Sequence, residues 1–96
     1  MTVAAARDTL LVLRTEAAYA APYAPPGPAR AALGQVGRLA TLALEQLGDL
    51  TTGQSESVVR IATALVSTVD PAERDRWVDD LRRTLTNVQR RQEARR

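Results

Sequence analysis

The side chains able to do acid, base or ligand chemistry here are carboxylates and arginines, because the 96-residue chain has no histidine, cysteine or lysine. Asp75, Asp79 and Asp80 form the densest carboxylate set, with Asp75 and Asp79 one helical turn apart. A hard cation needs several converging oxygens, and the candidates elsewhere are Glu16, Glu45 and Glu56. A solvated acidic face at the start of a helix accounts for the same residues without a metal. Lacking imidazole and thiol, the chain also lacks the commonest general base and the thiolate nucleophile. The expectation is a non-catalytic protein with no metal, no cofactor and no evident small-molecule substrate.

Arginine is the second chemistry. Residues 81–96 hold six arginines against Glu93, whereas residues 70–80 hold five acids against two arginines, and the three segments before them are each neutral. Acids at a helix start and cations at its end are what the helix dipole favours. Asp79 and Asp80 lie three or four residues before Arg82 and Arg83, so those two arginines are partly neutralised within their own helix. That leaves Arg90, Arg91, Arg95 and Arg96 as a candidate polyanion-binding set, each able to neutralise a phosphate. No aromatic residue interleaves them for base stacking. A helix-turn-helix reading of residues 60–88 fails on charge, since Glu73, Asp75, Asp79 and Asp80 would open the recognition helix towards phosphates.

The elements that must position these groups read as all-α. The pattern predicts a small four-helix bundle with helices over about 2–20, 28–47, 53–69 and 70–92, possibly completed by oligomerisation. Val3, Ala6, Leu10, Leu13, Ala17 and Ala20 share one face of the first helix. A Pro-rich connector at 21–28 follows, in which Pro22, Pro25 and Pro28 satisfy PxxP spacing. With no arginine at the flank where such ligands carry one, a stiff link between helices is the simpler reading.

The second helix repeats apolar residues at alternating threes and fours from Ala29 through Leu33, Val36, Ala40, Ala43 and Leu47 to Leu50. Gly34 and Gly37 either mark a close helix crossing or weaken the first turns. Gly48 suits a helix end, and Thr52 or Ser55 is expected to cap the third helix, which carries Val58, Ile61, Ala62, Leu65, Val66 and Val69. So many β-branched residues need tertiary packing to stay helical. The fourth helix begins at Asp70-Pro71-Ala72-Glu73, where Asp70 can cap, Pro71 fits the first turn and Glu73 can complete a capping box. Trp77, Val78, Leu81, Leu85 and Val88 define its apolar stripe, with Trp77 read as a core anchor, and an Arg-rich tail occupies 89–96.

The first three helices carry more apolar side chains than one buried side each can use. Leu11, Val12, Leu39 and Leu42 are the large residues a single internal core accommodates least, and an uncovered apolar patch marks an interface. The functional expectation is therefore an interaction or assembly module that binds itself or another protein through an apolar helical face. The alternative is a small nucleic-acid or other polyanion-binding protein using the arginine tail. No apolar run reaches the length of a membrane span, and the N-terminal residues lack the basic-then-apolar order of a signal peptide, so a cytoplasmic location is expected.

Overall fold

A computed structural model describes residues 3–95. Four α-helices follow in order: α1 (Val3–Ala20), α2 (Pro28–Glu45), α3 (Thr52–Ser67) and α4 (Pro71–Ala94), with 3₁₀ turns at Ala21–Tyr23 and Leu47–Asp49. The described residues contain no strand, and the chain is an all-α bundle. None of its helices is long and apolar enough to cross a membrane.

α1 packs against both α2 and α3, while α4 packs against α3 and more thinly against α2. The helices thus form a ring in the order α1, α2, α4, α3, and the connection from α2 to α3 crosses a diagonal. Residues from the end of α1, the start of α2, the end of α3 and the start of α4 meet around one hollow, so each helix runs opposite to the one before it.

The core follows the predicted stripes. Ala6, Leu10, Leu13 and Ala17 of α1 meet Val36, Ala40 and Ala43 of α2, Val58, Ile61, Ala62 and Leu65 of α3, and Val78, Leu81 and Leu85 of α4. Two seams of different grain result. Alanine supplies four of these seven buried core residues of α1 and α2, whereas valine, isoleucine and leucine supply six of these seven of α3 and α4. The ends of the stripes depart from expectation: Val3, Val66 and Val69 are exposed, Val69 most of all. Trp77 is half-buried at the edge of the core.

Caps set the helix starts. Asp70 accepts a hydrogen bond from the Ala72 N–H at 3.0 Å, and Pro71 occupies the first turn, as the sequence predicts. Glu73 does not close a box there. For α3 the expected caps, Thr52 and Ser55, are corrected: the cap lies one residue before Thr52 and four before Ser55. Thr51 caps, accepting from the Gln54 N–H at 3.1 Å, while the Thr51 N–H donates to Gln54 Oε1 at 2.9 Å. This reciprocal pair satisfies two otherwise orphan N–H groups. Ser55 falls inside the first turn and is buried with its hydroxyl unpartnered.

The Pro-rich connector is a fastened link. Arg30 donates from Nη2 to the carbonyls of Pro22 (3.3 Å) and Ala24 (2.8 Å), and Ala24 is in polyproline geometry at φ −74°, ψ 145°. Gly27 then turns the chain into α2 with φ +116°, a region open only to glycine.

Candidate functional site

The acidic edge is distributed along α4. Asp79 pairs with Arg82 at 2.8 Å and Asp80 with Arg83 at 3.9 Å, both three residues apart; the four-residue Asp79–Arg83 pair does not form. Glu16, Glu45 and Glu56 are exposed on three other helices. Among the described residues no three His, Cys, Asp or Glu side chains converge as metal ligands.

The four apolar candidates do not lie on one face. Leu11 and Val12 are exposed, at 36% and 50% of their surface, and about 100° apart around α1. Val12 lines a shallow groove of about 400 Å³ between α1 and α3, with Thr9, Thr63 and the 42%-exposed Val66. Leu39 and Leu42 of α2 are half-buried and pack against the core. Leu42 also lines a second groove, between α1 and α2.

Of the arginine set, Arg90 and Arg95 are exposed and their side chains have no hydrogen-bond or ion-pair partner among the described residues, and Arg96 lies outside those residues. Arg91, read from the sequence as free, is committed: it donates from Nη2 to the Asp49 carbonyl, while Gln92 Nε2 donates to Asp49 Oδ2 at 2.6 Å. Arg76, Arg83 and Arg90 recur every seven residues, which puts them on the side of α4 opposite its buried stripe.

The α1–α2 groove was not anticipated as a unit. It measures about 490 Å³, with Leu33, Leu42, Ala17, Ala18 and Gly37 among its lining residues. Arg14 on α1 and Arg38 on α2 stand on opposite rims, both exposed and without a partner among the described residues. Arg38 leans over the groove: its Nη1 sits 3.4 Å from the position that a Cβ on Gly34 would take. Each arginine was legible singly, but only their meeting across two helices gives them a common role.

At the end of the bundle Tyr19 and Tyr23 are exposed, at 73% and 80%, and pack on each other with ring centroids 5.7 Å apart. The pair faces outward.

Comparison with protein-family models, with curated proteins and with solved structures finds no match to this chain.

Proposed function

We propose that this protein is a non-catalytic helical interaction module, assembling with itself or with another protein through apolar surface on the outside of its bundle. The observation that carries the reading is the position of Leu11, Val12 and Val66. They are exposed aliphatic side chains on helices whose core faces are already filled by other residues. Aliphatic surface placed outside a filled core adds nothing to folding, yet it is gained back when a partner covers it, at about 25 cal/mol per Å².

Val12→Glu is the test. It places a carboxylate in the α1–α3 groove at an exposed position, so helicity by circular dichroism should be unchanged. Mass by light scattering should fall from a multiple of 10.4 kDa to 10.4 kDa. An unchanged multiple would remove this groove from the interface. Leu42→Glu is a poorer probe, because Leu42 is packed against the core and its loss also strains the fold.

A second reading, polyanion binding, is supported by the seven-residue recurrence of Arg76, Arg83 and Arg90 and by the partnerless Arg95. Asp79 and Asp80 lie beside that stripe and pair with Arg82 and Arg83, which reduces its potential. This reading ranks second.

A further inference from the structure

We propose that the α1–α2 groove is the acceptor half of a self-association contact, and that its occupant is the acidic first half of α4 from a second copy of this chain. The inference rests on the assembly reading above and specifies which surfaces meet.

The groove has the chemistry of a site for an acidic amphipathic helix. Its walls are apolar through Leu33 and Leu42, and its rims carry two guanidinium groups, Arg14 and Arg38, with no carboxylate partner among the described residues. The arginines that do form ion pairs, Arg7, Arg82 and Arg83, find carboxylates nearby in sequence, whereas Arg14 and Arg38 meet only across two helices. Guanidinium is the group suited to binding carboxylate at an interface, because it is weakly hydrated and offers a fork of donors. The lone carboxylate on the groove, Glu45, lies at the far end of α2 and pairs with neither arginine.

The complementary surface is on the same chain. Residues 70–80 carry five acids against two arginines. Within them Glu73, Arg76, Trp77 and Asp80 line one shallow hollow on the outside of α4, and Asp80 also lies 3.9 Å from Arg83. Glu73 and Asp80 are seven residues apart, about 10 Å along the helix. The half-buried Trp77 sits between them. Aromatic residues ringed by polar groups are the typical anchors of protein interfaces. The positive rims of the groove are therefore opposite in sign to this net-negative stretch of α4, a match that steers encounter. Every copy carries both surfaces, so the contact is heterologous and can repeat from copy to copy.

A charge exchange tests this. The groove-reversed variant is Arg14→Glu with Arg38→Glu, and the helix-reversed variant is Glu73→Arg with Asp80→Arg. Wild-type protein should run as a multiple of 10.4 kDa at low salt, with weaker association at high salt. Each variant alone should keep its helicity and associate at least about tenfold more weakly. Mixed in equal amounts they should recover wild-type mass, because each reversed groove then meets a reversed helix. Should either reversal disturb folding, Arg14→Gln with Arg38→Gln gives the same direction of effect with less strain.

Monomeric wild type at low salt, wild-type mass in both variants, or a mixture that stays monomeric would each overturn the proposal. If the charge variants assemble normally while Val12→Glu does not, the pairing of groove and α4 fails but the assembly reading stands. If Val12→Glu and the charge variants all assemble as the wild type does, the pairing of groove and α4 fails and the α1–α3 groove is removed from the interface as well.

Discussion

Arg91 donates a hydrogen bond to the backbone carbonyl of Asp49, 42 residues earlier in the chain, and thereby ties the last turns of α4 to the link between α2 and α3. Gln92 reinforces the tie by reaching the Asp49 carboxylate. The consequence is twofold. α4 is held at its far end by polar contacts, beyond the buried Val88, and one arginine of the tail is taken away from any external anion.

Asp49→Ala should therefore loosen the end of α4 selectively. The variant removes the acceptor for Gln92 but keeps the carbonyl that Arg91 uses, so the cost should be about 1 kcal/mol. Amide exchange should quicken over residues 88–94 while the α1–α2 seam keeps its protection. Uniform acceleration throughout the bundle would show that the tie supports the whole fold.

Polyanion binding separates the remaining arginines. Arg90→Ala with Arg95→Ala should lower heparin affinity and flatten its salt dependence, each lost phosphate contact reducing the slope by about one. Arg91→Ala should change heparin affinity little and thermal stability more. The opposite ranking would mean that the Asp49 tie gives way when an anion binds. Truncation after Val88 is less informative, since it deletes both Arg91 and Gln92 along with the tail.

Two neighbouring hydroxyls on α3 should respond with opposite sign. Thr51→Ala breaks the reciprocal cap with Gln54 and should destabilise by about 1 kcal/mol. Ser55→Ala removes a buried hydroxyl that has no partner, so stability should be unchanged or higher by up to about 1 kcal/mol. Urea midpoints of the two variants decide the matter. A clear loss on Ser55→Ala would reveal a hydrogen bond at that hydroxyl.

The glycines make a similar contrast. Gly27→Ala forces a side chain into φ +116° and should cost about 1–3 kcal/mol. Gly37→Ala places its Cβ 3.9 Å from that of Ala17, an ordinary contact, and improves helix propensity by up to about 1 kcal/mol. A higher melting temperature for Gly37→Ala with a lower one for Gly27→Ala is the expected result. Destabilisation by Gly37→Ala would instead mean that the α1–α2 seam requires the missing side chain.

Much of the fold was legible because it depends on near neighbours. Residues three and four apart share a helix face, so the stripes Leu10–Leu13–Ala17 and Val78–Leu81–Leu85 marked their own core faces without knowledge of any partner. Asp70-Pro71 marked a helix start because capping is completed within one turn. The cap of α3 is equally local, and Thr51-x-x-Gln54 carries its signature, one residue before Thr52.

Tertiary structure decided the flanks. Whether Leu11, Val12, Leu39 and Leu42 meet on one surface depends on which helices sit beside α1 and α2, and the ring order separates them. Val12 is placed with Val66, whereas Leu42 is placed with Arg14 and Arg38. The tie between Asp49 and Arg91 has the same origin, because no periodicity connects residues whose proximity arises from the return of α4 along the bundle. Local sequence pattern determines which side of each helix turns inward, since that choice is made by burial of its own stripe. Only the packed bundle determines which outward side chains become neighbours, since that requires the positions of all four helices at once.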